Sequence, residues 1–443
     1  MAVHADREAF IPYRKADLIE LCIQDGKLQN EDVQKFREFC EIVSAYYHFD
    51  SLKHLESMKN NFAHINPDAD TKPMFPPSVE EQQIREAKLV EEFEETLQKA
   101  NYRKLTNEEW AKAKEQQSLI TLQMDVDFND FELWVCYHRG DSQTTVKIKK
   151  LFGSKDFTMD TYERVVLLLK FKDEAYFKSQ KRKIQDLNFT PGKMYVYFYK
   201  KIPQADLEVL FPNVKVSMNL KDRLLFVVPA IGAGIATLLK ALPALIVTFA
   251  LVLGILKLNA IADLIGIKIP EATELKVIIG AVTGLSLLGA FAFKQYVAYK
   301  NKRLKFLKDI TDTLFFRNLD CNAGVFHRLL DDAEEEECKE NILAYYHLVT
   351  NHNGMTKEDL DNFIEEWLEK KFNTKVDFAV DKAIQRLESL RGKIVQEGQE
   401  ESQVPELSIV QADEKGVYRC LSLDEAKTIV DYIWDNYFSY NNG

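Results

Sequence analysis

Three aspartates in MDVDFND, namely Asp125, Asp127 and Asp130, are the nearest approach in this chain to a metal-ligand cluster. An EF-hand calcium loop counted from Asp125 requires glycine at its sixth position and glutamate at its twelfth. Asp130 and Cys136 stand there instead, so the acids read as the wet face of a strand. A second group, His138, Arg139 and Asp141 in YHRGDS, brings a base, a cation and a carboxylate together. Loop sites use such residues, and so does an ordinary turn rich in glycine, aspartate and serine. The templates GxxxxGK(S/T), GxGxxG and GxSxG do not occur, which leaves the usual nucleotide and hydrolase chemistries without support. The six cysteines are scattered with no CxxC, and the eight histidines form no HExxH. No catalytic residue, metal ligand or cofactor is assigned, and lone thiols fit a reducing compartment.

These residues need elements to hold them. The stretch 15–63 reads as helical, with Leu18, Ile19, Leu21 and Cys22, then Val33, Phe36, Phe39, Ile42 and Val43, on a 3.6-residue period. A proline-rich loop spans 64–78. A long solvated helix at 80–100 and a short one at 107–117 follow. From 118 to 202 the pattern changes to period two, which predicts an antiparallel sheet with HRGDS (138–142) as a hairpin loop. The run DDAEEEECKE (331–340) reads as a solvated helix face. Beyond 341 the order is helix, helix, helix, strand, strand, helix, a winged-helix-like module. Thr356 and Asp359 form a capping-box-like T-x-x-D. GKIVQE and GVYRCLSL flank the hairpin of that module.

Between 224 and 293 the chain becomes almost wholly apolar. LLFVVPAIGAGIATLL (224–239), ALPALIVTFALVLGIL (241–256) and VIIGAVTGLSLLGAFAF (277–293) contain no charged residue, whereas a membrane span needs about 20 mostly apolar residues. Only Lys240 parts the first two. The expectation is a transmembrane helical hairpin at about 241–258 and 277–297, with 224–239 as a re-entrant or interfacial piece. Gly280 and Gly284 form a GxxxG suited to close helix packing. Lys200, Lys201, Lys215, Lys221 and Arg223 precede the region. Lys294, Lys300, Lys302, Arg303, Lys305 and Lys308 follow it and offer a site for anionic lipid headgroups. Cations on both flanks place both ends in the cytoplasm of a multi-pass cell-membrane protein.

Net charge is −11 over 443 residues, and from Asp309 onward acids outnumber bases by roughly two to one, a poor match to phosphate backbones. Nucleic acid is therefore excluded as a partner. The N-terminus has no apolar leader segment. The expected domains are an N-terminal helical region (1–117), an α+β domain (118–222), a transmembrane region (223–297), juxtamembrane helices (298–340) and the winged-helix-like module (341–443). The fold class is thus an α+β membrane protein.

The segments MYVYFYKKIPQADLEVLFPNVKVSMNLKDRLLFVVPAIGAG (194–234), FIPYRKADLIE, YHRGDS, YKNKRLKFLKDITDTLFFRNLDCNAGVFHRLLDDAEEEE and GMTKEDLDNFIEEWLEKKF form one set. With them the chain resembles the DUF3754 family of membrane proteins, which is related to the eukaryotic transmembrane protein 143. The resemblance implies a membrane protein with large soluble ends, organellar in eukaryotic members; without a presequence, this chain resembles a bacterial version. It carries over no catalytic residue. The expected function is a membrane-anchored interaction or regulatory protein, with protein partners or self-association. Alternatives are a transport or lipid-handling membrane protein and, more weakly, a membrane-tethered enzyme.

Overall fold

The computed structural model describes residues 7–71, 73–115, 122–150, 153–218, 316–395 and 399–438, with scattered positions between 279 and 308. The chain divides into two units. One comprises Met1–Gln117, Asp127–Leu207 and Arg317–Gly443; the other comprises Ser118–Val126 and Glu208–Phe316.

In chain order the elements begin with α1 (Lys15–Gln24), α2 (Asn30–Phe62) and α3 (Val79–Lys99), then β1 (Arg103–Lys104), α4 (Asn107–Glu115), β2 (Leu122–Asp125), β3 (Phe131–Lys150) and β4 (Gly153–Phe171). Next come α5 (Glu174–Ser179), β5 (Met194–Pro203), β6 (Lys215–Met218), β7 (Asn318–Cys321), α6 (Ala323–Val349), α7 (Lys357–Phe372) and α8 (Val380–Ser389). Short strands β8 (Arg391–Gly392), β9 (Leu407–Ser408), β10 (Val410–Ala412) and β11 (Tyr418–Cys420) precede the last helix, α9 (Leu423–Asp435).

The first unit is built on a five-stranded antiparallel sheet in the order β1-β3-β4-β5-β7. Its central strand β4 carries VVLLL (165–169), buried throughout, because both faces of the sheet are covered there. The edge strand β7 returns from far along the chain to pair with β5, Tyr197 opposite Cys321. One apolar core fills the space between the sheet, the end of α2, α3 and the start of α6, with Phe62, Phe93, Leu168, Phe198 and Phe326 at its centre. A second gathers α1, the first half of α2, the end of α6, α7, α8 and α9 around Phe36, Phe39, Tyr345 and Tyr346. In the second unit β2 pairs antiparallel with β6.

Several expectations are corrected. Among the described residues no helix is long and apolar enough to cross a membrane. The two longest, α2 with 33 residues and α6 with 27, have the length but carry charged side chains along their course. The fold class is accordingly mixed α/β, helices on an antiparallel sheet. The α+β membrane protein with a transmembrane hairpin, the multi-pass cell-membrane localisation and the membrane-anchored function are not upheld. Residues 224–239 and 241–256, on which that reading rested, lie outside the described residues, as do Gly280, Gly284, Lys302, Arg303 and Lys305.

HRGDS is no hairpin loop. β3 runs straight through it, and the turn to β4 comes after Lys150, which pairs with Gly153. Gly140 allows this by adopting φ +75°, and a Cβ there would lie 3.0 Å from the Cβ of Glu163. In the C-terminal part GKIVQE contributes only the end of a two-residue strand, and the antiparallel hairpin is β10–β11 around Asp413–Gly416. The acidic run 331–340 is not a solvated face. Glu336 and Glu340 are each 1% exposed, and Glu337, Lys339 and Asn341 are buried with them.

Candidate functional site

The buried charges lie where one helix serves two cores. The first turns of α6 set Val325, Phe326, Leu329, Leu330 and Ala333 against the sheet core. Its last turns set Ile342, Leu343, Tyr345 and Tyr346 into the helical core. A helix apolar on all sides is surrounded by protein, and the polar residues 332–341 occupy the joint between the two apolar ends. Carboxylates and cations placed there are costly unless paired and hydrogen-bonded, and each finds partners.

On one side Asp332 accepts hydrogen bonds from Tyr102 Oη (2.8 Å) and an Arg139 guanidinium nitrogen (3.0 Å), while Arg139 also donates to the Ala100 carbonyl at 3.0 Å. The guanidinium lies over the rings of Tyr102 and Phe10, 4.6 and 4.8 Å from their centroids, a cation–π arrangement. On the next turn Glu336 accepts from the Ile11 amide at 2.6 Å and pairs with Lys339 at 2.9 Å. Lys339 in turn donates to the Ile11 carbonyl at 2.7 Å. The segment before α1 is thereby clamped through both backbone groups of one residue. Glu335 adds a bond from the Lys15 amide at 2.8 Å. Around the helix, Asn101 donates to Glu340 at 2.7 Å. Arg386 of α8 binds Glu340, donates to Asn341 at 3.1 Å and stands 3.7 Å from Glu337. Lys382, one turn earlier, donates to the Gln98 carbonyl and to Asn101 Oδ1, both at 2.8 Å.

The electrostatics follow from burial. Burial raises the Glu336 carboxyl above the ordinary range, and Lys339 opposes that shift. Burial likewise raises Glu337, with Arg386 acting the other way. The Lys382 ammonium is lowered by burial. For Arg386 burial acts downward, but Glu340 and Glu337 outweigh it and raise its pKa. A pocket of about 220 Å³ is lined by Phe10, Arg139, Asp332, Glu336 and Lys339 among others. Its charged groups are bonded to one another and to the strap around Ile11, and with Lys382 and Arg386 of α8 the cluster works as a clamp that joins five parts of the chain: the strap, residues 98–102, β3, α6 and α8.

Near the end of α6, His347 is buried against Tyr346, Phe363 and Trp367, with ring centroids 4.9, 5.2 and 5.1 Å away. Neither ring nitrogen has a hydrogen-bond partner in the protein. Burial, then the nearby Lys27 cation, push its pKa down to about 3, against a smaller pull from Asp25. The ring is therefore neutral at physiological pH. Burial alone would raise Asp25, but bonds from Lys27, Trp367 and Lys371 outweigh it and lower its pKa to about 2.

A surface feature stands at the other end of the helical core. Phe49 on α2 is the hub of an aromatic cluster, with ring centroids 5.5 Å from Trp434, 4.8 Å from Tyr437 and 5.5 Å from Phe438. Lys53 lies 3.8 Å over Tyr437. Leu52, Trp434 and Phe438 are 49%, 43% and 50% exposed. Ion pairs Lys35–Asp424 (2.6 Å) and Lys427–Glu38 (2.8 Å) tie α9 to α2.

The three aspartates singled out in the sequence form no cluster, whereas His138 and Asp141 stand 3.8 Å apart and Arg139 turns away from them. Asp130 is buried and gripped by Arg182 at 2.7 and 2.8 Å; Asp127 caps a short turn at Asn129; Asp125 lies in β2. No group of three or more possible metal ligands occurs among the described residues. His138 is buried in β3 over Tyr162, 4.1 Å between centroids, and burial lowers its pKa. Arg139 joins the clamp, and Asp141 pairs with Arg103 at 2.5 Å. Lys294, Lys300 and Lys308 occupy exposed helical positions. Sequence reasoning missed Glu336, Glu340, Lys382, Arg386 and Asn101. One signal was available: after the acidic run, ILAYYHLV leaves α6 no polar face.

The family described as "Protein of unknown function (DUF3754)" matches residues 162–324. That span runs from β4 to the first turn of α6. No solved structure matches the chain.

Proposed function

We propose that this chain acts by contacting another protein and that its C-terminal module does not read nucleic acid. The observation that carries this is the orientation of α8. Its cations Lys382 and Arg386 turn inward onto Gln98, Asn101, Glu340 and Asn341. The positions it exposes are Asp381, Gln385 and Ser389. A reader of phosphate backbones needs cations facing outward. Exposed apolar side chains gathered in one place mark protein interfaces, and the cluster around Phe49 supplies them. Fluorescence anisotropy with labelled duplex DNA at low salt tests the reading. No salt-sensitive binding is expected, and micromolar, salt-sensitive binding overturns it.

Kinship beyond the matched segment, including a relation to transmembrane protein 143, is a second proposal. It is supported by FIPYRKADLIE and GMTKEDLDNFIEEWLEKKF, both outside 162–324. A structure of that protein with α6 and its clamp in place would support it; a different fold in the corresponding regions would remove it.

A further inference from the structure

We infer that the surface between α2 and α9 around Phe49 is a docking groove for a basic amphipathic helix of a partner protein. The inference rests on the protein-contact reading above and names its site and chemistry.

Phe49 lies at the centre of this surface, and its exposed apolar side chains are Leu52 on α2 and Trp434 and Phe438 towards the end of the chain. Side chains three or four positions apart on a helix are neighbours, which places Glu56 beside Leu52 and Asp431 beside Trp434. Asp435 follows Trp434, and Asp50 receives a hydrogen bond from Tyr437 at 3.3 Å. Glu56, Asp431 and Asp435 are exposed. The rim therefore carries four carboxylates; against them stand Lys59, paired with Glu56 at 2.7 Å, His54, 3.9 Å from Asp50, and Lys53, whose ammonium is stacked on Tyr437.

Charge decides the occupant. A second copy of this chain would bring the same acids to the contact, on a protein of net charge −11. An anionic lipid surface would be repelled in the same way. A partner helix with apolar residues spaced three and four apart and flanking lysines or arginines matches both the apolar floor and the acidic rim. The ion pairs Lys35–Asp424 and Lys427–Glu38, and at the patch itself the bond from Tyr437 to Asp50, hold α9 against α2, so the surface is in place before binding and little ordering is needed.

Trp434 provides the readout. The other tryptophans, Trp110, Trp134 and Trp367, are more buried, and the difference between wild-type and Trp434→Phe emission isolates the groove. The full chain is titrated with a synthetic 18-residue helix bearing a leucine stripe flanked by lysines. Parallel titrations use the same helix with glutamates for lysines, vesicles of phosphatidylglycerol and of phosphatidylcholine, and duplex DNA. The expected result is a saturable blue shift of Trp434 with the basic helix alone. The double variant Asp431→Lys, Asp435→Lys should weaken that binding by about tenfold and reduce its salt dependence, as rim charges do. Equal binding of the acidic helix, a shift with vesicles instead of the peptide, or undiminished binding in Leu52→Ser overturns the inference. No response to any peptide overturns it too, while the broader reading falls only if DNA binds.

Discussion

Replacing Arg386 with methionine removes the cation that α8 contributes to the clamp and leaves a side chain of similar length. Glu340, 1% exposed, loses its salt bridge, and Glu337, 3.7 Å away, loses its nearest opposing charge. Asn341 loses a donor at 3.1 Å. Breaking a buried pair from one side leaves an uncompensated charge and costs about 3–5 kcal/mol, a large part of the roughly 5–15 kcal/mol that holds a typical domain folded. Urea denaturation followed by circular dichroism reads the loss as a lower midpoint at unchanged slope. Arg386→Lys should recover part of it, because an ammonium restores charge without the guanidinium fork. Lower pH should recover part as well. Burial already raises the Glu337 carboxyl, and without Arg386 it rises further. A carboxyl raised above its unfolded value stabilises the fold below the unfolded pKa and loses that effect as pH rises through the folded pKa. The deficit in Arg386→Met should therefore shrink as pH falls from neutral toward the unfolded carboxyl range. A cost below about 1 kcal/mol, the range of exposed ion pairs, would refute the buried clamp.

His347 is neutral in the fold with its pKa lowered to about 3. Its contribution is fully present above the unfolded histidine value and is lost as pH falls from there toward 3, by up to about 1.4 kcal/mol per pH unit; His347→Phe should flatten that acid limb in denaturation measured across pH. Gly140→Ala should destabilise by about 1–2 kcal/mol, since φ +75° and the Glu163 Cβ at 3.0 Å both oppose a side chain; thermal unfolding checks this. A synthetic 294–317 peptide, with Lys294, Lys300 and Lys308 among its cations, should bind anionic vesicles more tightly than neutral ones. Equal partitioning would remove the headgroup reading.

Local rules made part of this fold legible. The Thr356 cap on Asp359 is present, with the Asp359 amide bonding the Thr356 hydroxyl at 3.1 Å. The apolar stripes of α2 and α3 bury Phe36, Phe39, Phe93 and Leu97 as their period requires. Partners distant in sequence were not legible. β7 completes the sheet from over a hundred residues beyond β5, and four residues of strand carry no signal for that pairing. The turn signal of HRGDS was misleading because a glycine at positive φ can sit inside a continuous strand as well as in a turn. The acidic run misled because, apart from Lys339 within it, its charges are compensated by Ile11, Asn101 and Arg386, which are distant in sequence. Charge runs read as solvated only when the compensating groups are unseen.

The central claim, that the middle of α6 is a buried charge clamp, is tested most directly by carboxyl footprinting. The folded full-length chain is treated with carbodiimide and glycine ethyl ester, and labelling is read residue by residue by mass spectrometry. The clamp predicts that Asp331, which is exposed, labels readily while Glu336 and Glu340 stay unlabelled until the protein is denatured. Labelling of Glu336 and Glu340 in the native protein at the rate of Asp331 would contradict it.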